Sequence, residues 1–126
     1  RKAKFYENLL MKRIDGFGSK VYIVNSGWTG GSYGVGERFN IPTTINIIKA
    51  IQSGSIEESP KSKLDIMNVE IPTELEGVET KILNPSETWA DQDMYKKAAE
   101  DLAIKFSENI SKFDVADEIL ASGPST

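Results

Sequence analysis

Half of the chain's ten glycines, Gly27, Gly30, Gly31, Gly34 and Gly36, fall between Asn25 and Gly36. A stretch this rich in glycine lets the backbone take unusual angles and approach a ligand closely. It follows the apolar run Val21-Tyr22-Ile23-Val24 and precedes a helical pattern. The order strand, glycine loop, helix is that of a phosphate-binding turn. Gly31-Ser32-Tyr33-Gly34-Val35-Gly36 even supplies the G-x-x-x-x-G half of a P-loop. The next residues are Glu37 and Arg38, where that motif needs Lys and then Ser or Thr. No lysine clamps the terminal phosphates, no hydroxyl holds magnesium, and Glu37 repels a triphosphate. A Walker A assignment is rejected. On residue types alone, a flexible surface turn, Arg38 paired with a surface carboxylate, and Thr44 as a helix cap all stay open.

Composition removes several chemistries at once. The 126 residues contain no cysteine and no histidine, so disulfides, thiolate zinc sites, Ser-His-Asp triads and imidazole metal ligands are excluded. The net charge of −4 argues against nucleic acid as a partner, which needs a basic footprint. No apolar run nears the ~20 residues of a membrane span, and the lysine-rich start is no signal peptide. A cytoplasmic protein with no membrane partner is expected. The loop carboxylates Glu57, Glu58, Glu74, Glu76, Glu79, Asp91 and Asp93 read as solvated charge, with no pair placed for general acid–base work.

The elements that must position the loop follow from periodicity. Phe5, Tyr6, Leu9, Leu10 and Ile14 give a helix over 2–14, stopped by Asp15-Gly16-Phe17-Gly18. With Arg1 already inside this pattern, the chain is expected to be part of something longer. Strands are predicted at Val21–Val24, Phe39–Ile41, Ile66–Ile71 and Lys81–Leu83. Pro42 holds Ile41 extended, and Thr43 or Thr44 caps a helix carrying Ile45, Ile47, Ile48 and Ile51. A long helix over 91–113, with Asp91 as N-cap, buries Tyr95, Ala99, Leu102, Phe106, Ile110 and Phe113. A short one covers 115–121. Trp28 and Tyr33 are expected to pin the loop by packing, and Trp89 to anchor the start of the long helix. The expected class is mixed α/β: one small mixed sheet packed by the Ile45/Ile48/Ile51 and Leu102/Phe106/Ile110 faces, in a single domain over 1–126.

Val24-Asn25-Ser26-Gly27-Trp28-Thr29-Gly30-Gly31-Ser32-Tyr33-Gly34-Val35-Gly36-Glu37-Arg38 closely resembles the V-N-T-G-W-T-G-G-x-Y-G-V-G-x-R stretch of ATP-dependent phosphoenolpyruvate carboxykinases. Ile71-Pro72-Thr73-Glu74-Leu75-Glu76-Gly77-Val78 resembles that family's I-P-T-E-x-x-G-V, and Ile82-Leu83-Asn84-Pro85 with Thr88-Trp89-Ala90-Asp91 its I-L-D-P-x-x-T-W-A-D. The resemblance covers nearly the whole chain and implies the C-terminal part of the enzyme's ATP-binding lobe. It implies conversion of oxaloacetate and ATP to phosphoenolpyruvate, ADP and carbon dioxide in gluconeogenesis. Mg²⁺ would accompany the nucleotide and Mn²⁺ would sit beside oxaloacetate. The rest of the parent chain, ATP and oxaloacetate are then the partners.

The family's nucleotide contacts carry over onto Arg38, Phe39 and Thr44, counted in register from Arg38. Arg38 can place a planar cation beside a base or a phosphate. Phe39 supplies an apolar wall, and Thr44 a hydroxyl for the adenine edge. Glu37 departs from the basic residue common before the arginine, and Pro42-Thr43 replace commoner polar residues, so Thr43 competes with Thr44 for the contact. The resemblance assigns no catalytic residue and no metal ligand to this chain, which alone is expected to be inactive. The alternative is a stand-alone interaction or nucleotide-binding module without catalysis.

Overall fold

The computed structural model describes residues 2–125. Helix α1 spans Ala3–Phe17 and buries none of its side chains; Leu10 and Tyr6 remain more than half exposed. Strands β1 (Trp28–Thr29) and β2 (Glu37–Arg38) pair antiparallel across the glycine loop, with Trp28 opposite Arg38 and Thr29 opposite Glu37. Helices α2 (Ile41–Ser53) and α3 (Ser55–Glu58) follow. A second antiparallel hairpin joins β3 (Lys61–Leu64) to β4 (Val69–Pro72), in register from Lys61 opposite Pro72 to Leu64 opposite Val69. Single turns α4 (Thr80–Leu83) and α5 (Pro85–Thr88) lead into α6 (Gln92–Ile110) and then α7 (Asp117–Ser122).

The class is mixed α/β, built on two separate two-stranded sheets instead of one mixed sheet. The differences from expectation have local causes. Val21–Val24 forms no ladder among the described residues. Its exposure alternates, with Val21 at 67% and Ile23 at 94% against half-buried Tyr22 and Val24. That is the pattern of a strand face with nothing laid against it. Extended pairing near Phe39–Ile41 stops at Arg38, because Asn40 already caps α2: its Oδ1 accepts the Thr43 N–H at 2.8 Å. Ile41 and Pro42 thus lie in the first helical turn, where proline's missing N–H costs nothing. Lys81–Leu83 is helical, since a three-residue apolar run carries no period to tell strand from helix. In the stretch read as Ile66–Ile71, only residues from Val69 onward pair, and Asp65–Asn68 form the turn.

Asp91 does cap the long helix, accepting from the N–H groups of Asp93 and Met94. Its enclosed face differs from the expected stripe, however. Ala99 and Ala103 are buried, whereas Leu102, Phe106 and, beyond the helix, Phe113 stay about half exposed. The buried hydrophobic side chains are Ala50, Ile56, Val78, Ala99 and Ala103, mostly small. Of the α2 isoleucines, Ile45 and Ile48 also face outward in good part.

Candidate functional site

The glycine loop is a closed turn. The N–H groups of Val35 and Gly36 both donate to the Ser32 carbonyl at 3.0 Å, so they are spent inside the turn and not offered to a phosphate. A Cβ at Gly36 would overlap the Thr29 carbonyl oxygen, which is why glycine stands there. Trp28 and Tyr33 meet edge to face, with centroids 5.2 Å apart and planes at 77°, pinning the tip of the hairpin. The hairpin ends with the Phe39 N–H donating to the Gly27 carbonyl at 2.9 Å.

This geometry brings Arg38 and Phe39 out of the hairpin as neighbours with different surroundings. Arg38 is exposed, and its guanidinium has no hydrogen-bond or ion-pair partner among the described residues. The surface-carboxylate reading of Arg38 therefore has no support in the fold. Phe39 is half-buried and lines a cavity of about 810 Å³ walled by apolar side chains of α2, both hairpins and the turns before α6, with Trp28 and Trp89 also in its lining. Neither Arg38 nor Thr44 lines that cavity.

Thr44 lies in the first turn of α2, half-buried, and its hydroxyl donates to the Asn40 carbonyl at 3.3 Å. With its proton used, the oxygen keeps lone pairs that can accept from an amino group such as that of adenine. Its neighbour Thr43 is 7% exposed. Burial leaves Thr44 as the more approachable of the two hydroxyls. The cap role expected of these threonines belongs to Asn40, which is as good a cap as serine or threonine and stands two residues before Pro42.

Glu57, also in the cavity's lining, bonds Lys20 at 2.8 Å and lies 3.8 Å from Lys61. The Lys20 hydrogen bond is the main cause holding the Glu57 carboxyl below the ordinary glutamate range, with Lys61 adding to it. Tyr95 meets Trp89 edge to face at 5.9 Å, and burial pushes its phenol above the ordinary tyrosine value. Trp89 thus stands at the start of α6, packed against its first turn.

One tie was not legible in the sequence. Thr29 Oγ1 lies 2.9 Å from Thr88 Oγ1, and Thr88 Oγ1 donates to the Pro85 carbonyl at 2.8 Å. Gly30, at φ +75°, passes so close that a Cβ there would sit 2.8 Å from the Thr88 carbonyl oxygen. The words T-G-G and T-W-A-D were visible as motifs, but nothing local says they touch. Among the described residues, no group of three or more Asp or Glu could hold a metal ion, and no helix is long and apolar enough to cross a membrane.

A family model described as phosphoenolpyruvate carboxykinase matches residues 1–81. The chain is 43% identical over 123 residues to phosphoenolpyruvate carboxykinase (ATP) of Thermus thermophilus, covering 96% of this chain and 23% of that protein. It is 42% identical over 118 residues to the protein of the same name from Bacillus mycoides, covering 94% and 22%. With that of Caldanaerobacter subterraneus it shares 39% over 120 residues, covering 94% and 23%. The chain thus spans under a quarter of the length of these curated relatives.

Proposed function

The chain belongs to the phosphoenolpyruvate carboxykinase (ATP) family, and from that premise we propose that it is the C-terminal portion of that enzyme's ATP-binding lobe. In this reading Arg38, Phe39 and Thr44 hold the nucleotide. The intact enzyme converts oxaloacetate and ATP to phosphoenolpyruvate, ADP and carbon dioxide in the cytoplasm. Mg²⁺ and Mn²⁺ are held by residues outside this chain. The single observation that carries the reading is the pairing at the hairpin's end: an exposed guanidinium with no partner among the described residues, directly followed by a ring that lines a large apolar cavity.

The roles follow from the chemistry of each group. The Arg38 guanidinium is a permanent planar cation able to stack on a base or fork onto a phosphate. Phe39 offers an apolar wall, and its carbonyl an acceptor. Thr44 accepts from the adenine amino group while its own proton stays on Asn40. None of the three changes protonation during phosphoryl transfer, so each acts by binding and orienting. By itself the chain is expected to turn over no oxaloacetate, because phosphoryl transfer depends on neutralising charge around the phosphates. That requires cations this chain does not array: Glu37 and Arg38 stand where a P-loop has Lys and a hydroxyl.

The accessible surface supports a piece of a larger lobe. It amounts to 9490 Å², against about 6,700 Å² expected for a compact monomer of this mass. Photolabelling of the intact enzyme with 8-azido-ATP tests the site. Trypsin cuts after Arg38 and Lys49, so the adenine-directed label should appear on the peptide 39–49 and be displaced by ATP. Displaceable label confined to other peptides contradicts the assignment.

A further inference from the structure

We propose that Thr88 is a positioning residue for the nucleotide contacts: through Thr29 and Gly30 it clamps the glycine hairpin to α5 and so fixes where Arg38 and Phe39 stand. The proposal rests on the reading of Arg38 and Phe39 as ATP contacts. The hairpin cannot hold itself. Its ladder has two residue pairs, extended by the bond from the Phe39 N–H to the Gly27 carbonyl. A short isolated hairpin is at best marginally stable in water. Arg38, at its end, has no side-chain partner among the described residues to anchor it.

What fixes the hairpin comes from 59 residues away. Thr88 gives its hydroxyl proton to the Pro85 carbonyl at 2.8 Å, which leaves its oxygen as the acceptor for the Thr29 hydroxyl at 2.9 Å. The two bonds form a directed chain, half-buried at both threonines. Such a chain is polarised cooperatively where water is scarce. Beside it, Gly30 lies against the Thr88 carbonyl in a space that admits no Cβ. Thr29 stands opposite Glu37, and its carbonyl abuts Gly36. Any movement of Thr29 is therefore passed to the residues just before Arg38. The clamp touches no nucleotide and acts only through the hairpin.

The test uses the intact enzyme with Thr88→Val, which keeps the shape and removes the hydroxyl, with Thr88→Ser as the conservative control. Two readouts are taken: hydrogen exchange of the amides of residues 28–39, and steady-state kinetics with each substrate. In Thr88→Val, hairpin exchange should speed up and the KM for ATP rise about threefold to tenfold, the factor set by one neutral hydrogen bond. The KM for oxaloacetate should stay within twofold, and Thr88→Ser should restore both readouts. In an Arg38→Ala background, Thr88→Val should raise the ATP KM by a smaller factor than it does alone, because part of the clamp's effect passes through the position of that side chain. Unaltered hairpin exchange in Thr88→Val overturns the clamp, whatever the kinetics. A full, multiplicative penalty in the Arg38→Ala background overturns the positioning role. An unchanged ATP KM in Arg38→Ala alone overturns the site reading, and with it the clamp's link to nucleotide. Should Thr88→Val fail to fold, Thr29→Val breaks the same bond while leaving Thr88 on Pro85, and the same outcomes apply.

Discussion

Arg38 and Thr44 differ in what they stand to lose. A hydrogen bond to a charged group contributes roughly 1.5–3 kcal/mol and a neutral one about 0.5–1.5 kcal/mol. Arg38→Ala should therefore raise the KM for ATP by about tenfold to a hundredfold, and Thr44→Ala by about threefold to tenfold. The KM for oxaloacetate should hardly move, because uniform binding of one substrate is all that is lost. Thr44→Ser keeps the hydroxyl and should be close to wild type. Since Asn40, and not Thr44, caps α2, loss at Thr44 is not expected to fray the helix. A second expectation concerns Glu57, held below the ordinary glutamate range chiefly by Lys20. A carboxyl with a depressed folded pKa stabilises above its unfolded pKa, and that contribution disappears as pH falls through the folded value. In an NMR titration Lys20→Ala should raise the Glu57 midpoint toward the ordinary glutamate range. An unmoved midpoint would rule out Lys20 as the cause. At this scale the motif residues were legible because their words are specific. The partners of Thr29 and Thr44 were not, because hydrogen bonds to Thr88 and to the Asn40 carbonyl leave no mark on spacing.

Elements with a full period and a cap were legible: α6 begins after Asp91 as its side chain requires, and α2 follows from its isoleucines. Short apolar runs were not. Val21–Val24 has the composition of a strand, yet a strand exists only through a partner, and none lies among the described residues. Lys81–Leu83 has too few residues for either period to register. The cap on α2 is testable by Asn40→Ala, which should cost about 1 kcal/mol of stability in a urea titration. A change under a few tenths would mean the Asn40–Thr43 bond contributes nothing net. Along α6, Ala103 is 1% exposed, and Ala103→Leu should destabilise by about 1–3 kcal/mol through overpacking.

Across the whole molecule, apolar side chains outrun the core that encloses them. Ile23, Phe17 and Val35 are each more than two-thirds exposed, and the buried set is dominated by alanines. This explains why amphipathic patterns predicted helices correctly but their buried faces poorly: an apolar stripe is buried only where another surface meets it. Phe106 and Leu10 point to the same conclusion at opposite ends of the sequence. In the proposed reading these faces are contact surfaces within a larger lobe, and the nucleotide site lies at the hairpin's end. The most direct test of that claim is calorimetric titration of ATP into the intact enzyme without oxaloacetate, comparing wild type with Arg38→Ala and Thr44→Ala. Weaker ATP binding is expected in both, more so for Arg38→Ala, with wild-type thermal stability. Unchanged ATP affinity in both variants would contradict the claim and leave this segment as scaffold alone.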